Sequence, residues 1–206
     1  LDEGPADAPV LLMVHGNPTW SFYYRNLVLA FRDRFRCIVP DHMGSGLSDK
    51  PQEYPYTLRQ HMDNLTALLK HLGVSRANLV VHDWGGAIGL GWALDDPSEH
   101  RVERLALLNT AAFRSKRLPW SIKLCRTPGL GAWLIRGLNG FSRAALLRAV
   151  CHKLADEVRE GYLLPYPDWA SRIGQWSFVQ DIPLHPGVAS WGVLAQIEER
   201  LQTLFD

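Results

Sequence analysis

Leu79-Val-Val-His82-Asp83-Trp84-Gly85-Gly86 is the stretch whose reading decides the fold. An apolar run of buried-strand type stops at Asp83, and a glycine pair opens a stretch that reads as a helix over residues 85–94, ended before Pro97. A strand that turns at once into a helix lifts the residue at the turn above the sheet, where its side chain can react. A carboxylate in that place attacks a carbon bearing a leaving group and forms an ester, which narrows the chemistry. Aspartate before a helix is also an ordinary N-cap, so the flanking segments have to decide.

Working outward, strand and helix signals alternate. Val10-Leu-Leu-Met-Val14 is a short apolar run ending in His15-Gly16-Asn17-Pro18, and a helical segment is expected over residues 21–32. Residues 35–39 read as the next strand, closed by the turn-rich Pro40-Asp41-His42-Met43-Gly44-Ser45-Gly46. Thr57-x-x-Gln60 has the form of a capping box. Behind it Leu58, Met62, Leu65, Leu68, Leu69 and Leu72 make one apolar helical face, ended by Gly73. Residues 104–109 are a further strand. Strands and helices at this spacing give an α/β fold, a doubly wound, mostly parallel sheet. Ligands in such sheets bind beyond the carboxyl ends of the strands, where both the His15–Pro18 loop and Asp83 fall.

At 206 residues the chain holds one sizeable core, or a core with a subdomain. A net charge of +1 gives no bulk electrostatic reason to expect nucleic acid. Cys37, Cys125 and Cys151 are odd in number and lack metal-ligand spacing, which argues against a disulfide framework and for a reducing, cytoplasmic setting. No apolar run is long enough to span a membrane, and no signal peptide is recognisable. The glycines of residues 43–47 beside Asp41 and Asp49 match no phosphate-binding spacing and read as a tight turn.

After Asn109 the character changes. Residues 114–187 carry helical stretches broken by six prolines and no convincing strand, and read as an all-helical cap inserted over the sheet. The expected division is 1–113 as the core, 114–187 as the cap and 188–206 as a helix returning to the core. The turn-like opening at Leu1 and the stop just after a helical pattern make the chain look truncated at both ends. Trp120, Trp133, Phe141, Trp169, Trp176 and Phe178 are candidates to line an apolar cleft. Lys123, Arg126, Arg136, Arg143 and Arg148, set among large apolar residues, fit a solvated basic face or a lipid-handling surface.

With these loops in place the sequence closely resembles the haloalkane dehalogenase family of α/β-hydrolases. The resemblance rests on His15-Gly-Asn-Pro-Thr-Trp20, Pro40-Asp-His-Met-Gly-Ser-Gly-Leu-Ser-Asp-Lys-Pro51 and His82-Asp-Trp-Gly-Gly86, in that order and spacing. Leu124-Cys-Arg-Thr-Pro128, Arg136-Gly-Leu-Asn139 and Phe178-Val-Gln-Asp-Ile-Pro183 look like the subgroup that includes the β-lactone decarboxylases of olefin biosynthesis. The resemblance implies an α/β-hydrolase fold with an aspartate nucleophile, Asp83, taken to be ionised at neutral pH without help.

It further implies that Asn17 and Trp84 hold the leaving group through side-chain N–H donors, while their backbone N–H groups form an oxyanion hole. His15 and Gly16 would support that loop, Gly85 and Gly86 would keep side chains out of the turn, and His82 would satisfy backbone groups. One departure is Val81, where a small residue is usual. The family's catalytic histidine and its acid are expected beyond Asp206, so residues 1–206 alone should not turn over. No metal or organic cofactor is implied. The implied substrate is small and apolar or long-chain and lipid-like, with no nucleic acid or integral membrane partner, and relatives in olefin synthesis work in multi-enzyme assemblies. The alternatives are an epoxide hydrolase, with Tyr162 or Tyr166 protonating the oxygen, and a catalytically incomplete fragment.

Overall fold

The computed structural model describes residues 1–96, 100–115 and 117–204. Five strands form one sheet in the order β1-β3-β2-β4-β5: β1 (Asp2–Glu3), β2 (Val10–Val14), β3 (Arg36–Ile38), β4 (Ala77–Asp83) and β5 (Val102–Thr110). All neighbouring pairs are parallel except β1 with β3. Residues 4–8 turn as expected, with Ala8 N bonding Pro5 O, but a two-residue strand precedes them. Asp2 and Glu3 pair antiparallel with Cys37 and Ile38, and Arg36 adds a side-chain bond from Nη2 to Asp2 Oδ2 at 2.6 Å.

Helix α1 (Arg25–Phe31) follows β2 after a tight turn at Ser21–Tyr24, and α2 (Leu58–His71) follows β3. Thr57 caps α2 by accepting from Gln60 N, but Gln60 donates its side-chain amide to Asn64 instead of reaching back, so half of the expected box forms. Leu58, Met62, Leu65 and Leu69 are buried, whereas Leu68 is on the solvent side and does not belong to the face. Gly73, at φ +69°, takes the left-handed conformation that ends the helix, and its N–H bonds Lys70 O.

Helix α3 (Trp84–Leu94) is buried on all sides from Gly85 to Leu94, which suits a central helix. Each buried Leu, Ile or Val of this layer contributes about 1.5–3 kcal/mol relative to exposure. Gly91 leaves room for Met62 of α2, and Gly89 leaves room for Val81: a Cβ at Gly89 would stand 2.8 Å from Val81 Cγ1. The bulky residue two before Asp83 is thus accommodated across the helix, not strained at the turn.

The remaining helices are α4 (Trp120–Cys125), α5 (Leu130–Ala132) continuing into a wide turn at Trp133–Gly137, α6 (Gly140–Arg148), α7 (Asp156–Leu163), α8 (Ile173–Gln180) and α9 (Trp191–Arg200). The helix expected from residue 188 begins at Trp191, because Val188 and Trp191 are tied into a turn through Val188 O; Pro97, Phe205 and Asp206 lie outside the described residues. Among the described residues no strand interrupts 120–180, and no helix is long and apolar enough to cross a membrane. Helix α8 settles onto the loops after β2 and β4. There Asn17 donates to Gln175 O at 3.0 Å and Phe178 meets Trp84 with ring centroids 5.3 Å apart.

Candidate active site

Asp83 takes φ +52°, ψ −126°, the left-handed side of the map that an L-residue avoids. Such a conformation persists only where the surroundings enforce it. Thr110 at the end of β5 donates its hydroxyl to Asp83 O at 2.6 Å, and Asn17 N donates to Asp83 Oδ1 at 2.7 Å. Added Cβ atoms at Gly85 and Gly86 would strike Val14 O and Thr110 Oγ1, so glycine is required for the first turn of α3 to sit against both neighbouring strand ends. Gly16 is equally constrained, since any side chain there would collide with Asp83 itself.

Burial pushes the Asp83 carboxyl above its ordinary value, and the backbone N–H groups of Asn17 and Trp84, with His82, pull it back down. The expectation of a carboxylate ionised without help is corrected: the same two N–H groups read as an oxyanion hole hold its charge.

Asn17 is pinned by α8. Its Nδ2 donates to Gln175 O, while Oδ1 is buried without a partner. Trp84 stands beside it with its ring against Phe178, and among the described residues its indole N–H has no acceptor. Two neutral N–H donors beside a carboxylate are suited to developing negative charge on a departing atom.

His15 is fully buried. Its Nδ1 lies 2.8 Å from Gly16 O, and its Nε2 accepts from His42 N at 3.3 Å. Its ring packs on His42 at 4.4 Å, His42 meets His61 at 5.5 Å, and His61 stacks on Phe178 at 4.5 Å. Burial lowers the pKa of His15 to about 4, that of His42 to about 3, and that of His61 well below 6.5, so all three are neutral packing elements near pH 7. His82 departs from expectation. It stacks on Tyr23 at 4.4 Å and its Nδ1 is buried without a partner, so the ring is held by packing.

Asp41 accepts from Ser21 N at 2.6 Å and Leu47 N at 2.9 Å, which makes it a turn organiser. Of the tyrosines singled out in the sequence, Tyr166 is buried and accepts from Gly46 N, and Tyr162 lies edge-on to Phe22 and accepts from Arg25 Nη1 at 3.3 Å.

A largely apolar cavity of about 380 Å³ opens beside Asp83 and Trp84, walled by Phe113, Ile182, Pro183, Leu184 and Leu194 and lined also by Thr110, Ser115 and Arg117. Sequence reasoning missed what holds the 182–184 wall. Arg126 Nη1 gathers the carbonyls of Val179, Gln180 and Ile182 at 2.8, 2.9 and 3.1 Å, and Asp181 accepts from Leu58 N and bonds Ser190 Oγ. Of the candidate aromatics, Phe178 is buried at the site, while Trp120, Trp133 and Trp169 are exposed. Among the described residues no group of His, Cys, Asp and Glu has the arrangement of a metal site.

The family model described as alpha/beta hydrolase fold matches residues 9–199. The chain is 45% identical to a cis-3-alkyl-4-alkyloxetan-2-one decarboxylase of Xanthomonas campestris over all of its length and 72% of the relative's. It is 48% identical to the protein of the same name in Shewanella oneidensis, of which it spans 64%. A haloalkane dehalogenase of Mycolicibacterium paratuberculosis is 34% identical over 90% of this chain and 60% of that one. Among solved structures, haloalkane dehalogenase DbeA from Bradyrhizobium elkani superposes with a TM-score of 0.86 at 30% identity, covering 97% of this chain and 71% of that one. The chain belongs to the α/β-hydrolase-fold family, among the cis-3-alkyl-4-alkyloxetan-2-one decarboxylases and haloalkane dehalogenases.

Proposed function

We propose that Asp83 is the nucleophile of an enzyme that opens cis-3,4-dialkyl oxetan-2-ones, four-membered β-lactones, to an alkene and carbon dioxide. One observation carries the reading: a carboxylate at a left-handed strand-to-helix turn, bonded by Asn17 N and flanked by the indole of Trp84, beside a largely apolar cavity. Asp83 Oδ attacks the ring carbon that bears the lactone oxygen. That C–O bond breaks, and the ring carboxylate leaves toward the N–H groups of Asn17 and Trp84. The Asp83 alkyl ester then collapses: the C–CO₂ bonding pair becomes the double bond, carbon dioxide departs, and the Asp83 carboxylate is regenerated. No water is consumed.

For a haloalkane the first step is the same, with halide leaving, but the ester must then be hydrolysed by an activated water. The buried, neutral His15, His42 and His61 do not supply that base. The names of the relatives at 45% and 48% identity favour the lactone. Epoxide opening has less support, because neither Tyr162 nor Tyr166 is among the residues that line the cavity beside Asp83.

In this reading residues 114–187 are the cap, with 1–113 and 188–206 on the core side. Free Cys37, Cys125 and Cys151 fit a reducing, cytoplasmic setting. Assembly with other enzymes of the same route is part of the proposal, checked by co-purification.

The test is a dialkyl cis-β-lactone offered to the full-length protein and to its Asp83→Asn variant, with alkene measured by gas chromatography. Alkene from the wild type alone supports the proposal. A folded wild type that makes none but releases halide from haloalkanes would replace the lactone with the haloalkane.

A further inference from the structure

From Arg114 to Ala155 the chain carries nine lysines and arginines and no aspartate or glutamate, although its formal net charge is only +1. The excess is local. Lys123, Arg143, Arg148 and Lys153 are exposed, and among the described residues none of them has a carboxylate partner, while Arg117 lines the cavity beside Asp83. Three of the nine are committed elsewhere: Arg114 pairs with Glu198, Arg126 is bound to the end of α8, and Arg136 bonds Gln52 Oε1 and Trp169 O.

The same helices expose large apolar side chains. Trp120 is 72% exposed, Trp133 54% and Leu147 71%, with Leu124 and Leu130 near 40%. On α4, Trp120, Lys123 and Leu124 are three and four residues apart and share one helical side. The ring of Trp133 borders Gly137 next to Trp169, which is itself half-exposed beneath the Arg136 guanidinium at 4.7 Å.

Unpaired cations among exposed tryptophans and leucines, with no acid in between, match a surface that is anionic above and hydrocarbon beneath. Indole side chains are suited to that boundary, with an apolar ring and one polar N–H. A polyanion such as nucleic acid would satisfy the cations but leave the leucines of α4, α5 and α6 in water. An acidic protein would have to bring its own apolar patch.

We propose that helices α4 to α6 form a docking face for an anionic lipid bilayer, on which the protein lies peripherally. This face is independent of the chemistry at Asp83, and Asp83→Asn should bind vesicles as the wild type does.

The experiment is co-sedimentation of the full-length protein with vesicles of phosphatidylcholine alone and of phosphatidylcholine mixed with phosphatidylglycerol. Binding is expected to the anionic vesicles only, weakened by salt, with a blue shift of tryptophan fluorescence. Lys123→Glu, Arg143→Glu and Arg148→Glu should each weaken it by at least roughly fivefold, the worth of one cation at such a surface. Trp120→Ala with Trp133→Ala should remove the fluorescence shift while a thermal melt stays unchanged. Equal binding to both vesicles, binding to neither, or charge-reversed variants that bind as the wild type would overturn the proposal. Retention of DNA or polyglutamate without vesicle binding would reassign the face to a macromolecular polyanion.

Discussion

The backbone N–H of Asn17 reaches the Asp83 carboxylate at 2.7 Å across 66 positions of sequence, so the loop after β2 and the turn after β4 act as one unit. Burial raises the Asp83 pKa and this bond opposes the rise. If Asp83 is the nucleophile, its ionised form is the reactive one, and activity should fall as pH drops, along an acid limb lying above the ordinary aspartate range. A pH profile of kcat/KM checks this; a limb at or below the ordinary value near 3.8 would contradict it.

Gly16→Ala should damage activity more than stability. The new methyl group collides with Asp83, and overpacking costs about 1–3 kcal/mol. If Asp83 is the nucleophile, displacing it by about 1 Å should lower kcat/KM on the order of 100-fold. A folded variant with unchanged turnover would show that Asp83 tolerates the shift.

Trp84→Phe keeps an aromatic ring against Phe178 but removes the indole donor. If that N–H stabilises the leaving group, kcat should fall roughly 100- to 1000-fold with little change in melting temperature. Equal losses for leaving groups of very different basicity would argue that Trp84 only packs.

The buried histidines make stability depend on pH. In the unfolded chain His15 and His42 protonate near 6.5, but in the folded protein only at about 4 and about 3. Their contribution is complete above 6.5 and is lost as pH falls toward those values, at about 1.4 kcal/mol per pH unit for each histidine. Urea unfolding across this window measures the slope, and His42→Gln should reduce it.

Arg126→Ala releases three carbonyls at the end of α8 and should cost about 1.5–3 kcal/mol, with KM raised more than kcat is lowered as Ile182 and Pro183 loosen. Calorimetry with steady-state kinetics separates the two effects.

Much of the frame was legible because it is local. The apolar runs at 10–14 and 79–82 named their strands, Gly85 and Gly86 betrayed the close approach of α3, and the loop order placed Asn17 near Asp83. What escaped is set by contacts between distant segments. Nothing near Gln175 announces that its carbonyl holds Asn17, and nothing near Arg126 announces its three acceptors. Leu68 carried the right periodicity but faces outward, since the core covers only part of α2. Asp2–Glu3 was hidden by the turn residues that follow it, because an edge strand of two residues has no period to read.

The bond from Asn17 to Gln175 ties two properties that could otherwise vary apart. Helix α8 bears Phe178 and leads into the wall at Ile182 and Pro183, so a cleft widened on that side shifts α8. That shift would also turn the amide of Asn17. If Asn17 is the donor for the departing group, widening the range of accepted carbon chains by that route would re-aim it. In this lineage, substrate size and leaving-group preference should change together, through one helix.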